Sequence, residues 1–136
     1  MRYLIVFLSI LIYTNAIADN CPSIEAIKNN RAKNWVAHDS ENNKTLSTLR
    51  ETKLRNDIQQ FAIAEWAKTN NKNSIHCYYK NNDGSTMEAY FSKENTAIIK
   101  PSKYWYQVSG MMHCAAGSKN CEFQTLSGNQ HQLAQN

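Results

Sequence analysis

The sequence predicts a small α+β domain in which an N-terminal helix packs on an antiparallel β-sheet and two disulfides hold the fold. Residues 75–79 alternate apolar and polar side chains, which is typical of a half-buried strand. Asp83-Gly84 separates this run from a second aromatic-rich run, 87–91, and Asp-Gly between two such runs is a hairpin signal. Four cysteines that follow an export signal predict the disulfides.

The first 18 residues have the features of a cleavable signal peptide. Arg2 supplies a positive charge, residues 4–12 are apolar, and Ala16-Ile17-Ala18 is a small-x-small cleavage motif. The apolar run is short for a permanent membrane span, which needs about 20 residues. We therefore predict cleavage after Ala18, a periplasmic rather than extracellular location, and no membrane span in the mature chain.

The remaining chain fits one domain with a short tail. Residues 19–126 have the size of a single small globular unit, and the polar residues 127–136 are expected to be disordered. The net charge of +4 is mild, and the basic residues are scattered rather than arranged in a stripe. Nucleic acid is therefore not an expected partner.

All four cysteines lie after the signal peptide, so three pairings are open. Cys114 and Cys121 are separated by a turn-like run containing Gly117, and they can close a hairpin end on each other. Cys21 then pairs with Cys77, which ties the N-terminal segment to the predicted sheet.

The segments before residue 70 give a mixed pattern. Residues 21–28 predict a short helix with Pro22 in the first helical position, and residues 34–38 have strand-like composition. Residues 54–66 fit two interpretations, a helical stripe and a strand. We prefer a helix or irregular chain to about Asp57 followed by a strand that pairs with 75–79; Phe61 and Ile63 would then share one face and Trp66 the other.

The C-terminal half predicts further short strands. They cover residues 95–100, 104–108 and 111–114, and the last of these is expected to form a disulfide-stapled pair with residues 121–123. Pro101 ends the first of them.

Known catalytic and metal-binding patterns are missing from the sequence. His76 and His113 each precede a cysteine, but adjacent strand residues point to opposite faces, so neither pair suits one metal ion. The sequence has no Gly-x-Ser-x-Gly, Cys-x-x-Cys or glycine-rich phosphate loop. We therefore expect no enzyme activity, no metal and no cofactor.

The best binding candidate is the basic and aromatic run Lys103, Tyr104, Trp105 and Tyr106. Trp and Tyr anchor many protein interfaces. In the competing interpretation Trp105 belongs to the core, and only the two tyrosines are exposed.

The order of landmarks along the chain resembles the small periplasmic EirA-type proteins, which are associated with the type IVB (Dot/Icm) secretion system of intracellular gammaproteobacteria. The landmarks are Cys21-Pro22 with Ile24 and Ile27, Trp35-Val36-Ala37, Phe61 with Ala64 and Trp66, Cys77 with Tyr79, Pro101 with Trp105, Cys114, and Cys121 with Phe123. The resemblance implies a virulence-related accessory protein that supports effector translocation and intracellular replication, with no catalytic residues to carry over.

We therefore expect a non-catalytic protein that acts through protein–protein contacts with secretion-system components, or with copies of itself. The alternative is a periplasmic inhibitor of a host cell-wall hydrolase such as lysozyme. Lysozymes are typically basic, and the mildly basic charge of this chain disfavours that alternative.

Overall fold

The computed structural model describes residues 17–69, 72–84, 87–99 and 102–126. The predicted signal peptide up to residue 16 and the predicted tail 127–136 lie outside these residues, as does Pro101. The described elements are, in chain order, β1 (Ile17–Asp19), α1 (Ile24–Lys28), β2 (Val36–Asp39), α2 (Thr48–Asp57), β3 (Gln60–Thr69), β4 (Lys72–Lys80), β5 (Ala89–Glu94), β6 (Thr96–Ile98), β7 (Tyr106–Val108), β8 (Met111–Cys114) and β9 (Phe123–Thr125). Neither helix is long and apolar enough to cross a membrane.

The predicted α+β domain is confirmed, and its main element is an antiparallel six-stranded sheet with the order β2-β5-β4-β3-β8-β7. The predicted hairpin is the β4–β5 pair, in which Cys77 lies opposite Phe91. Gly84 in the connection has a φ of +75°, a conformation that glycine adopts without steric cost. The predicted pairing of β3 with β4 is also present, so the strand interpretation of the 60–66 segment is correct.

A β-bulge in β3 changes which side chains share a face. The register of β3 against β4 shifts between Phe61 and Ile63. As a result Phe61 and Trp66 both pack on the core side, whereas Ile63 lies opposite Tyr78 on the other face. The expected grouping of Phe61 with Ile63 is wrong, because one extra residue in a strand reverses the alternation beyond it.

A second, three-stranded sheet has the order β1-β9-β6 and is also antiparallel. The expectation that residues 121–123 pair with 111–114 is therefore wrong. The chain leaves the six-stranded sheet after β8, and β9 pairs with β1 and β6 instead. Asn95, at a φ of +57° between β5 and β6, lies where the chain passes from one sheet to the other.

Both helices lie at the N-terminal side of the chain and are capped by serines. Ser23 caps α1 through its side-chain oxygen, which accepts from the Ala26 N–H, and Ser47 caps α2 in the same way. Pro22 thus precedes the cap and does not occupy the first helical position that we expected. Ile27 of α1 is completely buried, which confirms a helix packed on the sheet.

Both predicted disulfides are present, Cys21–Cys77 and Cys114–Cys121. The first bond joins the segment before α1 to the middle of β4. The second joins the end of β8 to the residues before β9, so it links the two sheets. All four sulfurs lie in the core, together with large side chains such as Tyr79, Phe91 and Phe123.

Strand β1 includes Ile17 and Ala18, which precede the predicted cleavage point, and Asp19, which follows it. The Asp19 carboxylate forms an ion pair with Lys93 and accepts from the Thr125 hydroxyl. Asp19 loses solvation on burial, but these bonds and the Asn20 N–H lower its pKa. This carboxylate therefore fastens the start of the predicted mature chain to both sheets.

Candidate functional site

The outer face of the six-stranded sheet, which points away from the disulfides, carries a row of titratable side chains. Glu65 of β3 lies between His76 of β4 and His113 of β8, since these residues are opposite one another in the ladder. His76 Nδ1 is 3.3 Å from Glu65 Oε1, and His113 Nε2 is 3.1 Å from Glu65 Oε2. An ionised carboxylate only accepts hydrogen bonds, so each imidazole donates one N–H to it. One carboxylate thus connects three strands.

The Ser74 hydroxyl extends this network, because its Oγ is 3.1 Å from His76 Nε2. Hydroxyl, imidazole and carboxylate are linked in the order found in serine hydrolases. However, Ser74 is only 5% exposed and lies inside β4, which has paired strands on both sides. Its backbone N–H is directed at a neighbouring strand and cannot contribute to an oxyanion hole. We therefore assign the network to stabilising the sheet.

The ring of Tyr90 on β5 covers one side of the network. It stacks on His76 with a centroid distance of 4.2 Å and on His38 of β2 with a distance of 5.5 Å. Burial raises the pKa of Tyr90, and the nearby Glu65 charge adds to this effect. The hydrogen bond from His76 lowers the pKa of Glu65 although burial opposes it. The carboxylate is therefore charged and the phenol neutral at neutral pH.

The two His-Cys pairs divide between the faces of the sheet as their strand positions predict. His76 is on the outer face, whereas Cys77 lies in the core and is bonded to Cys21. His113 and Cys114 separate in the same way. Within the part of the chain that the structure describes, no group of three or more His, Cys, Asp or Glu side chains could hold a metal ion.

The predicted binding run 103–106 is divided between core and surface. Trp105 is 6% exposed, and its indole Nε1 donates to the Glu122 carbonyl at 2.9 Å. Its side chain is therefore a core residue and is not available to a partner, so only the other three residues remain as surface candidates.

Lys103 and Tyr106 are exposed, whereas Tyr104 is half-buried and packs against the core. We call these three residues the aromatic patch. The Lys103 ammonium lies 4.9 Å from the centre of the Tyr104 ring, a cation–π contact. Tyr106 is 47% exposed and contacts His113 edge to face. The buried Trp105, which lies between Tyr104 and Tyr106 in the sequence, anchors the backbone of this patch to the core.

A cavity of about 250 Å³ adjoins the aromatic patch. Lys103 and Tyr104 contribute to its wall, together with Lys119 from the loop closed by the second disulfide and Glu122, which follows that loop. Two lysines and one glutamate give this cavity a net positive charge. It can accept an anionic group more readily than a cationic one.

The free edge of the six-stranded sheet also lies here. Strand β7 is the last strand in the order, and all three of its residues are exposed. The other edge, β2, is covered by the loop after it: the Asp39 N–H donates to the Lys44 carbonyl and the Leu46 N–H to the Ala37 carbonyl, both at 2.9 Å. Among the described residues, β7 is therefore the edge of this sheet that can accept another strand.

The sequence did not reveal the Glu65 network. Glu65 is 11 residues from His76 and 48 residues from His113, and no local motif connects them. Only the alternation of β4, which places Ser74 and His76 on one face, could have indicated part of it.

Comparison with known proteins identifies a family but no function. The model of a family described as "Protein of unknown function (DUF3757)" matches residues 15–124, which is well over half of the chain. No curated protein and no solved structure matches this chain.

Proposed function

The chain belongs to the DUF3757 family, whose function is unknown, and we propose that it is a non-catalytic periplasmic protein that supports type IVB secretion through contacts with protein partners. In this role it assists effector translocation, and with it intracellular replication. The resemblance to EirA-type proteins is the reason for naming this process.

The single observation that carries the proposal is the aromatic patch of Lys103, Tyr104 and Tyr106. Tyrosine is one of the residues that most often anchor protein interfaces, and the Lys103 ammonium beside Tyr104 adds a positive charge to the patch. Tyr106 contributes little to the stability of the fold, because 47% of its surface remains exposed to water. The buried Trp105 holds the patch in one backbone conformation, which reduces the entropy lost when a partner binds.

The location agrees with the rest of the structure. Two disulfides in the core are expected in an oxidising compartment such as the periplasm and rare in the bacterial cytosol. Both pairs are buried, with Cys77 and Cys114 completely inaccessible, so the bonds belong to the fold and not to a surface redox reaction.

The proposal is tested by crosslinking in living cells of the host bacterium, followed by capture of the tagged full-length chain and mass spectrometry. We compare the wild type with the double variant Tyr104→Ser/Tyr106→Ser. Leu49→Ser is the matched control, because Leu49 is 82% exposed on α2, outside the patch.

We expect secretion-system components with the wild type and with Leu49→Ser, and their loss with the tyrosine variant. Circular dichroism must show that all three proteins keep the same fold. Capture of cell-wall enzymes or of host hydrolases alone would refute the secretion role. Inhibition of lysozyme by the purified chain would identify the inhibitor role instead.

A further inference from the structure

The backbone of β7 presents a specific pair of hydrogen-bonding groups to solvent. Val108 and Met111 flank the two-residue turn Ser109-Gly110 and lie opposite each other in the ladder. In such a hairpin the flanking residues bond to each other, and bonding residues alternate along an antiparallel strand. The N–H and C=O of Gln107 therefore point away from β8, toward the open edge.

This edge is held rigid at both ends. On one side Trp105 is anchored in the core through the Glu122 carbonyl. On the other side Ser109 and Gly110 have φ angles of +49° and +81°, the left-handed conformations of a tight type I′ turn that matches the twist of the strands. A strand fixed in this way can be extended by a partner with little further ordering.

We propose that β7 accepts an extended, acidic segment of a protein partner as a seventh strand of the sheet. This inference rests on the proposed function, since it specifies how the partner binds. The partner strand runs antiparallel to β7, as every other pair in this sheet does, and it bonds to the outward N–H and C=O of Gln107. Its side chains pack beside Tyr106 and Val108, which are 47% and 41% exposed.

The direction of the partner strand fixes where its charge lies. An antiparallel strand passes Val108 first and Tyr106 last, so its C-terminal part reaches the cavity beside Tyr104. Lys103 and Lys119 line this cavity, and neither ammonium forms an ion pair within the described part of the chain. Aspartate or glutamate side chains at that end of the segment would neutralise both lysines. The single carboxylate of Glu122 on the same wall opposes this attraction but carries less charge than the two ammonium groups.

A second copy of the chain fits this edge less well. Two β7 strands paired about a two-fold axis would align at Gln107, and each would then turn away at Ser109-Gly110. The residues brought to Lys103 and Lys119 would carry no charge. The observations therefore favour a different protein with a longer extended segment.

The first test uses the purified mature chain, labelled with nitrogen-15, and two synthetic peptides. Both are blocked hexapeptides whose first four residues alternate between threonine and valine. The last two residues are aspartates in one peptide and lysines in the other. We expect the acidic peptide to shift the amide signals of residues 106–108 and to protect the Gln107 N–H from exchange. The lysine peptide cannot form the two ion pairs that the acidic peptide makes with Lys103 and Lys119. Because each exposed ion pair contributes modestly, we expect the lysine peptide to bind about tenfold more weakly than the acidic one.

Two sets of variants separate the backbone from the charges. Gln107→Pro removes the outward N–H and leaves the ladder to β8 intact, since an edge strand tolerates proline there; Gln107→Ala keeps the N–H and is the matched control. We expect only the proline variant to lose peptide binding. The double variant Lys103→Ala/Lys119→Ala should lose the preference for the acidic peptide, because only the Glu122 carboxylate of the three charged groups then remains on the cavity wall. This result does not depend on the proline variant folding.

Three results would overturn the inference: no effect of either peptide on residues 106–108, equal binding of the two peptides to the wild type, or a wild-type dimer that Gln107→Pro dissociates. The capture experiment distinguishes this inference from the proposed function. Secretion-system components captured equally by the wild type and by Gln107→Pro would refute strand addition and leave the secretion role in place. Their absence with the wild type would refute the secretion role itself.

Discussion

Removal of the Cys21–Cys77 disulfide is the perturbation whose cost can be calculated most directly. The variant Cys21→Ala/Cys77→Ala is compared with Cys114→Ala/Cys121→Ala, which lacks the other bond. All four cysteines are at most 3% exposed, so each variant loses two buried sulfurs. The cost of those missing contacts is similar in the two variants, and the difference between them reports the cross-link.

The magnitude follows from the length of chain that each bond closes. The paired cysteines are 56 residues apart in the first bond and 7 residues apart in the second. In the chain-entropy model these loops correspond to about 4.2 and about 2.4 kcal/mol of stabilisation. We therefore expect the long bond to contribute about 1.8 kcal/mol more to the free energy of unfolding.

The assay is urea denaturation of both variants and the wild type, followed by tryptophan fluorescence. Free energies should be compared rather than midpoints, because removal of a cross-link exposes more surface on unfolding and changes the slope. Equal losses, or a larger loss for Cys114→Ala/Cys121→Ala, would refute the entropic account of the long bond. A first variant that is unfolded without urea, while the second stays folded, agrees with it.

Three further changes test other contacts. Glu65→Gln should cost about 1–2 kcal/mol at pH 7, because the carboxylate accepts from two imidazoles. Folding lowers the pKa of Glu65, so the stabilisation by its carboxylate is fully present above the unfolded-state pKa of about 4.3 and is lost as the pH falls through the folded-state pKa. Urea curves in which Glu65→Gln costs as much free energy at pH 3 as at pH 7 would contradict this. Tyr79→Phe should cost about 1–2 kcal/mol in the same assay, because the buried hydroxyl donates to the Pro22 carbonyl at 2.6 Å, and a neutral result would mean that this bond adds nothing. Sequencing of the chain from the periplasmic fraction should begin at Asp19, whose pairing with Phe123 does not need Ile17; a start elsewhere would refute the predicted cleavage point.

Features that depend on local patterns could be predicted from the sequence. The β4–β5 hairpin follows from the apolar side chains at alternate positions around Cys77 and from the Asp-Gly turn. The disulfide pairing follows from the short, turn-like separation of Cys114 and Cys121, which leaves Cys21 for Cys77. Both depend on residues that are close in sequence or on simple elimination.

Features that depend on strand order could not be predicted. The contact of Glu65 with His113 exists only because β8 adds to β3 across a long stretch of chain. The bulge near Ala62 leaves no pattern in a run that is apolar on both faces. The three-residue strand β9 is too short to show alternation, so its move to the second sheet was not visible.

The exposed binding candidates were only partly predictable for a related reason. Tyr104, Trp105 and Tyr106 are chemically similar, and composition does not say which ring is buried. The indole of Trp105 can be buried because its N–H donates a hydrogen bond to the Glu122 carbonyl, which lies 17 residues away in the sequence. A buried polar group needs such a partner, and the sequence gives no indication of it.

The order of the disulfides along the chain has a consequence for biogenesis. The first cysteine bonds to the second, and the third to the fourth. In a chain that emerges from a membrane with its N-terminus first, cysteines that are oxidised as they arrive form these same pairs. The native connectivity then requires an oxidising enzyme but no later exchange of bonds, which can take from seconds to hours. Loss of the oxidase should therefore deplete this protein, whereas loss of a disulfide isomerase should leave its amount unchanged.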